Sequence, residues 1–198
     1  MDEKTIQTYN DFAKEYDTET ADFWEQFPKT FFDKFLELKR EMKVLNVGSG
    51  PGRDGLILKD AGADVICLDA SEVMIKFSTE RGLNSVIGDF NSLPFQNVEF
   101  DGVWAYTSLL HVPKAEVGIS LCEINRVLKP KGVLALGLIE GDAESYRESS
   151  DIKKPRWFSY YKKEEVEKLL GGSGFKLIYF QEFKPSGKKY LNFIFEKI

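Results

Sequence analysis

The 198-residue chain holds one histidine, two cysteines, seven prolines and no long apolar run. One histidine and two distant cysteines cannot assemble a zinc site of the usual Cys/His kind, so no metal is expected. Cys67 and Cys122 fall in an apolar strand pattern and an apolar-periodic helix, which predicts buried, reduced thiols and not a disulfide framework. The longest apolar stretch, Val133 to Ile139, is far shorter than the roughly 20 residues of a membrane helix, so no membrane partner is expected. Positive charge is not in surplus either: 27 Lys and Arg against 32 Asp and Glu leave a net charge of −5, which argues against a nucleic-acid partner. The start Met-Asp-Glu-Lys has no apolar core behind it, so no secretory signal is read and a cytoplasmic location is expected.

What is present is the composition of a globular domain, 42% apolar and 30% charged, with enough chain to bury a core. From Val44 onward, short apolar runs alternate with helical patterns, which predicts βαβ units around a parallel sheet. Strands are expected at Lys43–Val47, Asp64–Leu68, Ser85–Ile87, Phe100–Tyr106 and Gly132–Ile139. Helices are expected from Arg53 to the stop at Gly62, and from the N-cap Ser71 to Gly82. Another should run from Pro113 with Val117, Leu121, Ile124 and Leu128 on one face, ending before the turn Lys129-Pro130-Lys131-Gly132.

Further on, a helix with Val166, Leu169 and Leu170 precedes strands at Phe175–Phe180 and Tyr190–Glu196, joined through Lys184-Pro185-Ser186-Gly187. So short a connection allows only an antiparallel pair. The expected fold class is therefore α/β, a Rossmann-like, doubly wound, mostly parallel seven-stranded sheet ending in an antiparallel hairpin. All of 1–198 reads as one domain: a helical cap over 1–42, a core over 43–139, and a substrate-side loop with C-terminal strands over 140–198. In the cap, Tyr9, Phe12, Ala13 and Tyr16 share one helical face, as do Phe27, Phe31 and Phe35. The polar stretch from Glu140 to Arg156 reads as a solvated loop.

Val44-Leu45-Asn46-Val47-Gly48-Ser49-Gly50-Pro51-Gly52-Arg53-Asp54-Gly55 is the most informative segment. An apolar strand runs into glycines at alternate positions, where the backbone can turn sharply and approach a ligand with no Cβ in the way. The helix behind points free N–H groups at that ligand. Asp69, closing the next strand, is placed to accept the hydroxyls of a ribose. Together these features read as a nucleoside-cofactor site.

Three further segments specify it: Asp69-Ala70-Ser71-Glu72-Val73-Met74, then Gly88-Asp89-Phe90 with Asn91-Ser92-Leu93-Pro94-Phe95, then Phe100-Asp101-Gly102-Val103-Trp104. With them the chain resembles the class I S-adenosylmethionine (SAM)-dependent methyltransferases, and most the small-molecule group of ubiquinone/menaquinone-type enzymes. The likeness is close over Val44 to Ile139 and looser through Phe158-Ser159-Tyr160-Tyr161 and Gly174-Phe175. It implies SAM as cofactor and methyl transfer to a small-molecule acceptor. Gly48, Ser49, Gly50 and Gly52 would lie along the methionine and ribose, and Asp69 beside Ala70 would take both ribose hydroxyls. Met74 and Phe90 would flank the adenine, Asp89 would accept its amino group, and the backbone at Tyr106 and Thr107 would face the sulfonium. Asn46 stands where the family commonly carries an acid, and it brings no charge to the cofactor's ammonium.

For catalysis, His111 is a candidate base because imidazole titrates near neutrality, although a packing role fits it too. Tyr16, with Tyr9, is a candidate to stabilise a sulfonium through its ring, although packing of the stripe is the simpler expectation. Arg147, Lys153, Lys154 and Arg156 could meet an anionic substrate, although solvation in the loop is the simpler expectation. Two other functions compete. A non-catalytic SAM-binding protein would share every cofactor feature. A nicotinamide-dependent oxidoreductase is opposed by Arg53, where the dinucleotide fingerprint needs a third glycine, and by the closing hairpin.

Overall fold

A computed structural model describes residues 2–25, 29–38, 42–148, 152 and 154–198. Asp2 accepts the Thr5 N–H at 2.8 Å and so starts α1 (Glu3–Asp11). The chain breaks at Phe12 (φ −120°, ψ 25°) before α2 (Ala13–Glu19), so the expected single face is carried by two short helices. The rings of Tyr9 and Tyr16 still meet edge-on, 5.3 Å between centroids. Helix α3 (Lys29–Glu37) buries Phe31, Phe32 and Phe35; Phe27 lies outside the described residues.

The core then runs β1 (Lys43–Val47), α4 (Arg53–Asp60), β2 (Asp64–Asp69), α5 (Glu72–Glu80), β3 (Asn84–Ile87), β4 (Phe100–Tyr106), α6 (Val117–Val127) and β5 (Leu128–Ile139). It closes with β6 (Glu144–Arg147), β7 (Arg156–Ser159), α7 (Lys163–Gly172), β8 (Phe175–Ser186) and β9 (Lys188–Lys197). A seven-stranded sheet has the order β3-β2-β1-β4-β5-β9-β8; β1 to β5 are parallel, and β9 runs antiparallel to both neighbours. Successive strand residues point to opposite faces. Val44, Trp104 and Ala135 meet α3 and Leu58 of α4 on one side, while Leu45, Val103 and Leu134 meet Leu121 and Leu170 on the other. Both faces are covered, which is why these strands read as continuous apolar runs. Strand order reverses between β1 and β4, and the crevice at their carboxyl ends is where such sheets hold ligands.

Four expectations need correction. Pro113 to Glu116 form a turn, so α6 starts at Val117, and Leu128 already belongs to β5. Residues 129–132 bulge out within that strand: Leu128 pairs with Phe100 and Val133 with Gly102, and Lys131 takes φ +62°. The polar stretch after Glu140 is not simply a loop, since β6 pairs with β7 as an antiparallel ribbon, Arg147 opposite Arg156. Cys67 is buried as expected, but Cys122 is exposed on α6.

Candidate active site

The glycine bend is held by the strand beside it. Gly48 and Ser49 both donate N–H to the Leu68 carbonyl, at 2.8 and 3.0 Å. Gly48, Gly50 and Gly52 all have positive φ (+65°, +52° and +90°), which a side chain would strain. Their surroundings differ. A Cβ on Gly48 would lie 2.3 Å from Ser108 Cβ, and one on Gly52 would lie 2.6 Å from Leu83 Cδ1 and 2.8 Å from Ser78 Cβ. A Cβ on Gly50 would meet nothing closer than the Tyr16 ring at 3.8 Å. Gly50 is the bare, open side of the bend.

Asp69 ends β2 beside it. Its Oδ2 accepts the Gly50 N–H at 2.8 Å and its Oδ1 the Ser71 N–H at 2.9 Å. With the Ala70 N–H as a third backbone donor, the carboxylate keeps acceptor capacity for a further donor. Burial raises the Asp69 pKa above its ordinary value, against the opposing pull of backbone donors from Ser71, Gly50 and Ala70. Ser71 caps α5 by accepting the Met74 N–H, and its hydroxyl donates to Asn10 Oδ1 at 2.7 Å, tying α1 to the same corner.

One cavity gathers Gly48, Ser49, Gly50, Asp69, Met74, Phe90 and Tyr106 with Tyr16 and His111. Gly52, Ala70 and Asp89 stand outside its lining. Gly52 serves packing against α5, and Asp89 Oδ1 accepts the Asn91 N–H at 2.7 Å inside its own turn. Tyr106 donates its hydroxyl to Asn192 at 3.2 Å, and Gly137 leaves room for its ring, since a Cβ there would come within 2.3 Å of it.

α1 and α2 roof the cavity. Thr5 Oγ1 accepts the Trp157 N–H at 2.8 Å, and Thr8 donates to the Pro155 carbonyl at 3.2 Å. Arg156 Nη1 donates to Tyr9 Oη at 2.8 Å, and Tyr9 Oη lies 2.8 Å from His111 Nε2. His111 Nδ1 sits 2.5 Å from the Trp157 carbonyl, so Nδ1 carries the proton and Nε2 accepts from the tyrosine. Burial drives the His111 pKa down to about 3, so the imidazole is neutral. Arg156 is therefore not a solvated loop residue: it is buried, with its guanidinium 5.1 Å from the Tyr9 ring centroid and 5.3 Å from that of Phe158. Asp17 pins α2 from the other end, bonding Arg81 Nη2 at 2.7 Å and Arg53 Nη2 at 2.5 Å.

The sequence offered no sign of Asp54, which also lines the cavity. Its Oδ1 accepts the Trp24 indole N–H and its Oδ2 the Trp104 indole N–H, both at 2.8 Å. Its surroundings lift its pKa to about 6. No group of three or more His, Cys, Asp or Glu among the described residues could hold a metal ion.

Residues 45–136 match the family described as a methyltransferase domain. This core is similar to that of the class I SAM-dependent methyltransferase superfamily. The chain is 38% identical to squalene methyltransferase 1 of Botryococcus braunii over 110 residues, 51% of this chain and 29% of that protein. It is 37% identical to the demethylmenaquinone methyltransferase of Staphylococcus carnosus over 108 residues, 50% of this chain and 44% of that one. The chain thus spans less than half the length of these relatives. Among solved structures, the 1,6-didemethyltoxoflavin-N1-methyltransferase of Burkholderia thailandensis, with bound 1,6-didemethyltoxoflavin and S-adenosylhomocysteine, superposes with a TM-score of 0.76. That superposition covers 97% of this chain and 87% of the other at 21% identity, which shows the shared fold. The cofactor of this superfamily is SAM. The bare side of the bend at Gly50, the carboxylate of Asp69 and the apolar side chains of Met74 and Phe90 line this one cavity, and their chemistry suits a methionine end, a ribose and an adenine.

Proposed function

We propose that this chain transfers the methyl group of SAM to a small-molecule acceptor, as a cytoplasmic enzyme. One observation carries the reading: a single cavity joins the open side of the glycine bend and Asp69 to a roof of tyrosines. The net charge of −5 favours a small acceptor over nucleic acid. No helix among the described residues is long and apolar enough to cross a membrane.

The bound cofactor supplies an electrophilic methyl on a sulfur that departs as a neutral thioether. No acid is needed for that departure, so the chain's task is alignment and exclusion of water. Asp69 takes the ribose hydroxyls on the acceptor capacity left by Gly50, Ser71 and Ala70. Met74 and Phe90, both buried, hold the adenine, and Tyr16 presents its ring from the roof. His111 is a positioning residue in this arrangement. Its Nε2 is taken by Tyr9, so it sets the Tyr9 hydroxyl and does not draw a proton from the acceptor.

The test pairs calorimetry of S-adenosylhomocysteine with transfer of labelled methyl from SAM to a panel of amines, phenols and carboxylates. Binding in the first and label on a small acceptor in the second are expected. If the intact chain binds neither SAM nor its demethylated product, the proposal is wrong.

A further inference from the structure

Asp54 occupies the first turn of α4, directly after the glycine bend, and lines the cavity. Two indole N–H groups fix it, Trp24 on Oδ1 and Trp104 on Oδ2, each at 2.8 Å. They orient the carboxylate but bring no positive charge, and with its own backbone N–H as a third donor the carboxylate still has acceptor capacity to give. Arg53, the cation next in sequence, turns to Asp17 and Thr20 instead. Around the carboxylate the cavity is walled by Tyr16, Phe23, Trp24 and Tyr106.

Carrying a carboxylate in ring-lined surroundings is costly unless a cation meets it. An oriented acid with aromatic faces beside it is complementary to an alkylammonium group, through one charge-assisted hydrogen bond and cation–π contact. We propose that Asp54 is the receptor for an ammonium group that a ligand brings into this cavity. Two sources share that chemistry: the methionine end of the cofactor and an amine acceptor. The inference rests on the SAM reading only for the first of them.

The titratable groups facing Asp54 are Tyr16 from α2, Tyr106 from β4, Cys67 from β2 and Arg53 from its own helix. Burial raises both phenols and the thiol, so they remain neutral from pH 5 to 7, while Arg53 remains charged. Over that range, of the groups facing the carboxylate, only Asp54 itself changes charge.

The experiment measures calorimetric affinity in the intact chain and in Asp54→Asn for two probes, S-adenosylhomocysteine and 5′-methylthioadenosine. Both carry the adenosine, and only the first carries an ammonium. A cofactor source predicts that the variant loses about tenfold or more for S-adenosylhomocysteine and nothing for methylthioadenosine, which also reports an intact fold. It further predicts that the wild-type preference for S-adenosylhomocysteine over methylthioadenosine grows about tenfold from pH 5 to pH 7. An acceptor source predicts no such loss; tyramine then binds better than 4-ethylphenol, and Asp54→Asn abolishes that preference. Absence of any Asp54-dependent preference in both arms overturns the proposal. Failure of wild type to bind either adenosine probe overturns the SAM reading instead, and leaves the tyramine comparison to decide on Asp54.

Discussion

Tyr9 Oη and His111 Nε2 lie 2.8 Å apart, and that contact joins the first helix of the chain to the rim of the central sheet. With Nδ1 bonded to the Trp157 carbonyl and Nε2 accepting from Tyr9, the imidazole is saturated in its neutral form. The histidine is unique in the sequence, so its ring protons give one resolved set of NMR signals. Those signals should not titrate between pH 5 and 8. A midpoint near 6.5 would show an imidazole open to water and restore it as a candidate base.

Acid stability supplies a second check. The folded pKa of His111, about 3, lies below its unfolded value of 6.5, so this stabilisation is complete above pH 6.5 and is lost as pH falls. Asp54 acts in the opposite direction. Its folded pKa of about 6 lies above the unfolded 3.8, so its contribution is full below pH 3.8 and fades as pH rises through 6. The two slopes oppose each other between pH 4 and 6. Asp54→Asn removes one of them, so the stability of the variant minus that of wild type should climb by about 1–2 kcal/mol from pH 4 to 6, allowing for the carboxylate's open side. Urea titrations at several pH values measure it, and a difference that stays flat would contradict the assigned burial.

The three glycines of the bend should separate by phenotype. Gly48→Ala and Gly52→Ala each add a backbone penalty of about 1 kcal/mol to an overpacking cost of about 1–3 kcal/mol, against Ser108 and against Leu83 with Ser78. Both should melt markedly lower than wild type. Gly50→Ala meets only open space and the Tyr16 ring, so its melting temperature should fall least while its affinity for S-adenosylhomocysteine falls most. Thermal denaturation and calorimetry on the same three variants settle the order.

Asp17 holds Arg53 and Arg81 together at the end of α2. Asp17→Asn leaves two arginines facing each other without their shared carboxylate. Amide exchange over residues 13–20 should accelerate about tenfold, equivalent to about 1.4 kcal/mol of local opening, with β1 and β4 unaffected. Unchanged exchange would mean that the roof is held by its α1 contacts alone.

How much of this was legible in the sequence depended on distance along the chain. The bend at Gly48 and Gly50, the strand end at Asp69 and the Ser71 cap are local devices, and each is written in neighbouring residues. Asp54 is not: its donors Trp24 and Trp104 lie 30 and 50 positions away, so nothing near it marks a cavity carboxylate. Arg156 misled for a similar reason. It sits in a polar run, and Tyr9, 147 positions earlier, takes its guanidinium at the roof of the cavity. The helix expected from Pro113 erred by one turn, because a proline suited to a first helical turn suits an ordinary turn equally.

The seam between α1 and β7 has an implication for how the molecule is made. Thr5, Thr8 and Tyr9 leave the ribosome roughly 150 positions ahead of Pro155, Arg156 and Trp157, which fasten them. Until that ribbon has emerged the bend and Asp69 have no ceiling, and any adenosine on them lies open to water. Ligand retention is thus acquired late in synthesis.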